Sequence, residues 1–457
     1  MLKLQVDMAS GDNSKLRLIT FLGTGRYERV EYIWGDIEGS SSERFTTEFF
    51  PEAIIHFLGR NNVNVDEVLV LVTNQAKEQN NFKELQKRLG AKLRAIDIPF
   101  GQKESELWEI FDRIASEVRE KEEIVLDITH GFRSIPMIVF SVADYLKKTK
   151  SVTIRHILYG AYEAGKHSQS NTKRVWHAHI CFAAKHWKHS QSNTKRVPIF
   201  DLTPLLDLME WTGGLEAFLK RGEADLVGEK MQKKQASLHR QRTFSSNPPY
   251  NLQSVGEKLQ TLSRSLHLAR PREVLKDAHD LLELLEKAKS ELEEWAKPFA
   301  TIIDRVHKEL EAFAYKDAND LTPESLEKQL ALLEYYINKD LMIPAVLLAR
   351  EWMVSYVIYR HYGKCTDWNK KEKREEAENH LNRNKSLPAA DSSGNMLPDD
   401  LLDCWKSLAD LRNDLAHCGM RENPRPAKNI KSELENIVRK LRGINIGYEE
   451  AGGQGAL

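Results

Sequence analysis

The sequence lacks the features that mark several common protein classes. Its 457 residues carry 67 basic and 67 acidic side chains, so the formal net charge is zero. A chain without net charge has no bulk attraction to nucleic acid or to an anionic membrane, and must meet a polyanion with a local cluster of bases. No uninterrupted apolar run approaches the roughly 20 residues of a membrane span, and the polar N-terminus has no signal-peptide core. We therefore expect a soluble, cytoplasmic protein without a membrane partner.

Cysteine is scarce and scattered. The chain has no CxxC pair, and its four cysteines are Cys181, Cys365, Cys404 and Cys418. This pattern favours reduced thiols over a disulfide scaffold or a zinc ribbon. The chain is long enough for two or three domains, each with its own hydrophobic core.

The first 200 residues alternate short apolar runs with segments of helical periodicity, which is the arrangement of parallel βαβ units. The predicted strands are Leu16–Leu22, Val68–Thr73, Leu93–Ile98, Ile124–Thr129 and Ile154–Tyr159. The predicted helices are Glu48–Leu58, Phe82–Leu89, Glu104–Glu120 and Ile135–Lys147. Ser134 is the expected N-cap of the last helix. This half is predicted to be a doubly wound, Rossmann-like α/β domain.

The second half is predicted to be all-α. It is rich in Leu, Glu, Lys and Ala, and Pro271 and Pro323 mark helix starts. The predicted helices are Pro271–Trp295, Phe299–Phe313, Glu324–Ile337, Ala345–His361, Leu401–His417 and Ile430–Leu441. The polar segment Gln235–Gln253 is predicted to be an exposed linker.

These patterns predict a chain that combines an α/β domain with a helical one. Its expected parts are a disordered N-terminus over 1–14, an α/β domain over 15–204, a helical connector over 205–297, a helical domain over 298–446 and a disordered tail over 447–457.

An exact repeat interrupts the α/β domain. The ten residues Lys166–Val175 recur as Lys188–Val197. We interpret the segment 163–197 as a lengthened surface hairpin, because a solenoid needs at least about three units. Potential zinc ligands lie in it: His177, His179, Cys181, His186 and His189. Their spacing is not a standard zinc set, so we predict no metal site and keep zinc as the alternative.

Two glycine-bearing segments follow predicted strands and indicate a ligand site. FLGTGRY (Phe21–Tyr27) follows the first strand, and DITHGFRS (Asp127–Ser134) leaves the fourth. Parallel strands end at one edge of the sheet, where backbone N–H groups, hydroxyls and a guanidinium suit an anion. Thr73–Asn74 and YGAY (Tyr159–Tyr162) end at the same edge. The alternative is a set of tight turns that use glycine for geometry.

FLGTGRY is not a dinucleotide-binding fingerprint. Glu28 stands where the third glycine of GxGxxG should be, which argues against an NAD-dependent enzyme.

RNDLAH (Arg412–His417) lies near the end of a predicted amphipathic helix. The expected core face holds Leu408, Leu411 and Leu415, with Gly419 as the C-cap. Arg412 and His417 are about 140° apart around a helix, so they converge only through long side chains or across a symmetric interface. An imidazole that moves a proton and a guanidinium that holds a phosphate are the minimum for RNA cleavage without metal. The alternative is two basic residues that complement the helix dipole.

Together these residues resemble the CRISPR-associated ribonucleases of type III systems, which join an N-terminal CARF sensor domain to a C-terminal HEPN ribonuclease domain. FLGTGRY and DITHGFRSIP are similar to the sensor loops, and RNDLAH matches the RxxxxH nuclease motif. The resemblance covers most of the chain. It implies an enzyme that binds a cyclic oligoadenylate as activator, needs no cofactor, and cuts single-stranded RNA to leave a 2′,3′-cyclic phosphate.

The resemblance also implies which residues act. The activator would be contacted by Gly23, Thr24, Gly25, Tyr27, Thr73, Asn74, Thr129, His130, Gly131, Arg133, Ser134, Tyr159 and Gly160. Arg412 and His417 would be catalytic, and Asn413 and Asp414 would orient them.

Symmetry connects the two sites. A ring with an even number of units has a two-fold axis, which suits two facing crevices in a homodimer or a multiple of dimers. We expect cyclic tetra-adenylate to be favoured over hexa-adenylate. The rival interpretation is a nucleotide-sensing regulator whose helical half binds a partner or DNA and has no nuclease activity.

Overall fold

The structure is a computed structural model that describes residues 15–35, 42–130, 134–166, 194–240, 248–383 and 396–446. The chain divides into two compact units, Met1–Met209 and Glu210–Leu457. The strands named below lie in the first unit, and the second is helical. The predicted disordered ends and residues 167–193 of the insert, with all five potential zinc ligands, lie outside the described residues.

Eight strands form one mixed sheet within the described part of the first unit. They are β1 (Leu16–Leu22), β2 (Val30–Trp34), β3 (Glu43–Thr47), β4 (Glu67–Val72), β5 (Leu93–Asp97), β6 (Glu123–Asp127), β7 (Thr153–Gly160) and β8 (Arg196–Asp201). Their spatial order is β3-β2-β8-β7-β6-β1-β4-β5. The run from β7 to β5 is parallel, and Ile19 of β1 lies between Leu69 of β4 and Leu126 of β6. The five predicted strands and their parallel pairing are confirmed.

Helices cover both faces of this sheet. They are α1 (Phe50–Arg60), α2 (Asn74–Lys77), α3 (Asn80–Leu89), α4 (Glu104–Glu117), α5 (Ile135–Lys150) and α6 (Tyr162–Lys166). Apolar residues of α1 and α3 join the core on one face, and those of α4 and α5 join the core on the other. Leu18 of β1 packs in the first core and Ile19 in the second, so a strand buried on both sides is a continuous apolar run. The doubly wound prediction is confirmed.

Three strands were not predicted, and they make the sheet mixed rather than wholly parallel. β3 is antiparallel to β2, and β8 is antiparallel to β7. β3 (ERFTT) is a largely polar edge strand, and β8 contains Pro198, a residue that central strands usually exclude. Neither therefore gives the apolar signal of a buried strand.

The N-cap prediction for Ser134 is half correct. Ser134 directly precedes α5, but its φ and ψ of −76° and −26° are already helical, and its side chain makes no capping hydrogen bond. A capping side chain requires extended backbone at this position, which Ser134 does not have.

The second unit is built from helices around one apolar core that extends from Trp211 to Ile444. The helices, of which the first begins in the first unit, are α7 (Thr203–Arg221), α8 (Asp225–Arg240), α9 (Leu252–His267), α10 (Pro271–Trp295), α11 (Lys297–Ala300), α12 (Ile303–Glu311), α13 (Pro323–Asn338), α14 (Met342–Tyr362), α15 (Lys371–Arg383), α16 (Asp399–Ala416) and α17 (Ala427–Gly443). The proline helix starts at α10 and α13 are confirmed, and Thr322 and Ser325 form a reciprocal capping box at α13.

The predicted linker Gln235–Gln253 is wrong at both ends. Its first residues complete α8, and Leu252 already begins α9. The buried residues of α8 lie in its first half, so the second half is a polar helical extension whose composition is that of a loop. The boundary proposed between 297 and 298 stays a prediction.

Among the described helices, α14 alone is long and apolar enough to cross a membrane by length and composition. Of its apolar window, 67% is buried inside the second unit, where Trp352 and Tyr356 are fully enclosed. In this structure α14 is a core helix of the helical unit.

Candidate functional site

A crevice of ≈ 350 Å³ lies at the carboxyl ends of β1, β4 and β6. Doubly wound sheets bind their ligands in a crevice at the carboxyl ends of their strands, and β1 lies between β4 and β6 in this sheet. Seven of the predicted activator residues line the crevice: Gly23, Thr24, Gly25, Tyr27, Thr73, Thr129 and His130. The structure thus brings together residues of three separate segments that the sequence singled out.

The turn after β1 is anchored at both ends. The Gly23 N–H donates to the Tyr27 hydroxyl (3.0 Å), and Asn81 of α3 donates through Nδ2 to the Gly25 carbonyl (2.8 Å). Neither glycine has a left-handed φ, and a Cβ at either position would meet no other atom within 4 Å. Neither backbone geometry nor packing therefore requires glycine here. This weakens the alternative of a purely geometric turn and leaves clear space for a ligand beside the backbone.

A buried carboxylate supports the turn after β6. Asp127 is fully buried and accepts hydrogen bonds from the Thr20 hydroxyl (2.6 Å) and the Thr129 N–H (2.8 Å). The Thr129 hydroxyl in turn accepts the Gly160 N–H (2.8 Å). Burial raises the pKa of Asp127 to about 6. This chain of hydrogen bonds joins the ends of β1, β6 and β7 and fixes Thr129 in the crevice wall.

His130 and Tyr27 form a neutral pair in the crevice. Their ring centroids are 4.5 Å apart, and His130 Nε2 is shielded from solvent and makes no hydrogen bond within the described residues. Burial lowers the pKa of His130 to about 4 and raises the pKa of Tyr27, so neither side chain is charged near pH 7. His130 therefore offers a ligand a hydrogen-bonding nitrogen rather than a positive charge.

Four predicted activator residues are described but do not line the crevice: Asn74, Ser134, Tyr159 and Gly160. Tyr159 packs against the core beneath α4 and α5. Gly160 lies under Tyr32 and Phe50, where a Cβ would come within 3.0 Å of the Tyr32 ring. Gly160 is thus needed for close packing.

Of the two predicted residues after β4, one lines the crevice and the other does not. Thr73 lines the crevice and caps α2 by accepting the Ala76 N–H (3.2 Å), whereas Asn74 is exposed. Gly131 and Arg133 lie outside the described residues.

Three supporting residues were missed by sequence reasoning: Thr20, Asn81 and Asp127. Asp127 carried a signal, because a carboxylate that ends an otherwise apolar strand must find donors when it is buried. Asn81 carried none, since its partner Gly25 is 56 residues away in the chain.

The RNDLAH motif occupies the last turn of α16, and His417 is the residue that follows the helix. Leu408 and Leu411 are buried, which confirms the predicted core face. Arg412 and His417 are exposed. Because they lie about 140° apart around the helix, a single chain does not present both on one face.

The other two residues of the motif that the resemblance singled out differ in burial. Asn413 is exposed beside Arg412, whereas Asp414 is buried. The C-cap of α16 is His417 rather than the predicted Gly419, because the helix ends two residues earlier. Gly419 has a φ of +67° and donates through its N–H to the Asp414 carbonyl (2.8 Å), a bond that closes the end of the helix.

Two further observations concern the rest of the described chain. No group of three or more His, Cys, Asp or Glu side chains that could hold a metal ion occurs among the residues the structure describes.

A more open groove of ≈ 400 Å³ lies between α13 and α17, with Arg442 and Glu334 ion-paired across it (2.7 Å).

Comparisons with known proteins cover both units. Residues 17–163 match the family model of the CARF domain of the CRISPR system endoribonuclease Csx1. Residues 207–317 match the model of the second domain of the CRISPR-associated protein MJ1674.

Whole-chain comparisons give more distant likenesses. The CRISPR-associated protein MJ1674 of Methanocaldococcus jannaschii is 22% identical in an alignment of 387 positions that covers 82% of this chain and 51% of that protein. The chain thus spans about half the length of the curated relative it matches. The structure of Enterococcus italicus Csm6 bound to cyclic hexa-2′-fluoro-hexa-dAMP aligns with a TM-score of 0.39 and 12% identity, over 94% of this chain and 93% of that one. The chain consists of an N-terminal CARF domain on a mixed sheet, followed by a helical region.

Proposed function

We propose that the chain is a cytoplasmic single-stranded endoribonuclease, activated by a cyclic oligoadenylate bound in its CARF crevice and acting in type III CRISPR antiviral defence. The observation that carries this proposal is the convergence of the turns after β1 and β6 on one crevice, within the segment that matches a CARF domain. The matched family is named for an endoribonuclease, which supports the nuclease half.

The crevice offers the groups that a nucleotide needs. At Gly25 the backbone has no Cβ beside it, and the Thr24 hydroxyl lies in the same turn, so a phosphate can approach closely. Apolar wall residues suit a base: Phe21, Leu71, Phe100 and Ile135. His130 and Tyr27 add hydrogen bonding and an aromatic surface. This combination favours a ligand with both bases and phosphodiesters.

The size of the crevice limits how much of a ring one chain holds. Its ≈ 350 Å³ is near the lower end of the roughly 300–1,000 Å³ typical of small-molecule sites. Four linked nucleotides exceed this, so we place two copies of the chain around a two-fold axis, each holding half of the ring. Cyclic tetra-adenylate, as the smaller ring, is the favoured activator.

At the nuclease motif, His417 takes the proton of the RNA 2′-hydroxyl while O2′ attacks the neighbouring phosphorus. The O2′–P bond forms and the P–O5′ bond breaks. O5′ receives a proton from the second copy of His417 in the dimer, and the products are a 2′,3′-cyclic phosphate and a 5′-hydroxyl. Arg412 binds the non-bridging oxygens and stabilises their developing charge, and Asn413 adds a hydrogen-bonding group beside it. The two-fold axis supplies the convergence that one α16 lacks.

A sensor without nuclease activity is the second candidate. One observation favours it: the matched family models cover 17–163 and 207–317, and RNDLAH lies beyond both. In that case the helical unit would bind a partner.

The test is cleavage of a labelled single-stranded RNA by the full chain without activator, with cyclic tetra-adenylate and with cyclic hexa-adenylate, each repeated in EDTA. We expect cleavage only with a ring, faster with the tetra-adenylate, unchanged by EDTA, and with 2′,3′-cyclic phosphate ends. Calorimetric titration with the same rings separates the two candidates. Binding without cleavage supports the sensor alone, and no binding of either ring contradicts both.

A further inference from the structure

Asp414 differs from its neighbours in the RNDLAH motif. Arg412, Asn413 and His417 are exposed, but Asp414 is only 2% exposed. Its Oδ2 accepts the Arg425 N–H (3.2 Å), whereas Oδ1 is buried and has no hydrogen-bond partner among the residues described. An unpaired buried carboxylate oxygen is costly and rare, so it calls for a role beyond local stability.

The chain folds back onto Asp414 after His417. Cys418 and Gly419 both have left-handed φ, and the Gly419 N–H donates to the Asp414 carbonyl (2.8 Å). The Arg425 N–H donates to the Asp414 carboxylate. The main chain and side chain of one residue thus hold both ends of the loop 418–425.

Arg421, within this loop, approaches the unpaired oxygen. Its Nε lies 3.7 Å from Asp414 Oδ1, a distance of charge attraction rather than of a hydrogen bond. The Arg421 side chain is 41% exposed, whereas the Arg425 guanidinium is directed to Glu433 of α17 (2.7 Å). Arg421 is therefore oriented by a buried charge and still open to solvent.

We propose that Arg421 binds RNA phosphate at the RNDLAH site and that Asp414 is the residue that positions it. The inference rests on the proposed nuclease function. Arg421 follows His417 by four residues, and the Met420 N–H donates to the His417 carbonyl (2.8 Å), so the loop keeps Arg421 at the same end of α16.

The chemistry favours arginine in this role. A guanidinium has five donors in a fixed fork, so one side can face a carboxylate while the other binds a phosphate. Orientation by Asp414 reduces the rotamer freedom that Arg421 loses when RNA binds. Arg421 supplies a contact to a phosphate beside the one that Arg412 holds during cleavage.

Arg421→Ala should weaken RNA binding about tenfold, as the loss of one charge-assisted contact does, and should raise KM with little change in kcat. Binding is measured by fluorescence anisotropy in the His417→Ala background, where the RNA stays intact. The slope of log affinity against log salt should become shallower by about 0.7, the value for one phosphate contact on a single strand. Arg264→Ala removes an exposed arginine of α9 and should change neither value.

Asp414→Asn tests the positioning. The amide keeps an oxygen for the Arg425 N–H but loses the charge that orients Arg421, so KM should rise as in Arg421→Ala. Because both variants remove the same interaction, the double variant should be no worse than Arg421→Ala alone. Asp410→Asn changes an exposed carboxylate one turn earlier on α16 and should have no effect.

Amide hydrogen exchange provides a readout that needs no activity. In Asp414→Ala the Arg425 amide should exchange faster than in wild type, because it loses its acceptor. Unchanged exchange would overturn the role of Asp414 in holding the loop.

The remaining outcomes separate this inference from the proposed function. Wild-type binding and KM in Arg421→Ala overturn the inference, as do additive effects of Asp414→Asn and Arg421→Ala. If the wild type binds RNA without cutting it, the nuclease proposal fails. The RNA-binding and hydrogen-exchange data then still test the proposed roles of Arg421 and Asp414. If wild type binds no RNA, both fail.

Discussion

The CARF crevice and the RNDLAH motif are organised in opposite ways. The wall of the crevice is built within one chain, and hydrogen bonds of the buried Asp127 and of Thr129 tie it to three strands. The motif instead exposes Arg412 and His417 at a helix end, and among its polar side chains Asp414 is the buried one. A ligand site gains affinity when its groups are fixed in advance, whereas a site that a second copy completes stays open in each chain. The crevice wall can therefore be tested through the stability of one chain, whereas the proposed ring binding and RNA cleavage are tested in the proposed pair of chains.

The largest effect is expected from removing the imidazole of the RNDLAH motif. His417→Ala should lower RNA cleavage by about 10²–10⁴-fold, the usual contribution of a general acid or base, and leave the affinity for cyclic tetra-adenylate unchanged. Initial cleavage rates and calorimetric titration measure the two quantities. His307→Ala, which removes a histidine of α12 whose side chain is 37% exposed, is the matched control. Cleavage by His417→Ala at the control's rate would remove His417 from the mechanism.

The buried side chains of Asp127 and His130 in the crevice should make the stability of the fold depend on pH. The pKa of Asp127 is raised to about 6, so the folded state holds this proton more tightly than the unfolded state. The contribution of Asp127 to the free energy of unfolding should therefore fall as pH rises from about 4 to 6. The fall should be about 3 kcal/mol, at 1.4 kcal/mol per pKa unit. The pKa of His130 is lowered to about 4, so its contribution should rise with pH between about 4 and 6.5. In the wild type these two pH dependences of the free energy of unfolding have opposite signs and partly cancel.

Replacing one of the two residues should leave only the pH dependence of stability that the other residue causes. Asp127→Asn should leave stability rising with pH over this window, and His130→Asn should leave it falling. Denaturation midpoints at several pH values measure this, with Asp112→Asn of α4, an exposed carboxylate, as the control. Identical pH profiles in Asp127→Asn, Asp112→Asn and wild type would mean that Asp127 is not the buried titrating group.

The smallest expected effect on stability distinguishes two kinds of glycine. Gly25→Ala should change the free energy of unfolding by less than about 0.5 kcal/mol, because the new Cβ meets nothing within 4 Å, yet it should weaken ring binding. Gly160→Ala should destabilise by about 1–3 kcal/mol, because its Cβ would come within 3.0 Å of Tyr32. Thermal denaturation and ring titration of both variants test this. Full ring affinity in Gly25→Ala would show that the ligand does not approach the backbone at this turn.

Much of the fold was predictable because the central strands are buried on both faces. β1, β4 and β6 are nearly continuous apolar runs, and their ends carry the Gly, Thr and His residues that converge in the crevice. β3 and β8 escaped prediction because an edge strand and a strand with a proline carry no such run.

Some residues of the site were assigned wrongly from the sequence, and others were missed. Tyr159 and Gly160 end a strand at the correct edge, but adjacent residues of a strand face opposite sides of the sheet, and packing uses both of them. Asn81 and Thr20 act through partners far away in the chain, which no local pattern indicates. The burial of Asp414 inside a motif of exposed residues likewise required the structure.

The most direct test of the central claim is an RNA-cleavage titration, in which the rate is followed while cyclic tetra-adenylate is added to a fixed concentration of the full chain well above the dissociation constant. If two chains share one ring that switches on cleavage, the rate should rise from near zero and reach its plateau at one ring for every two chains. A rate that is already maximal without the ring, or that is unaffected by its addition, would contradict it.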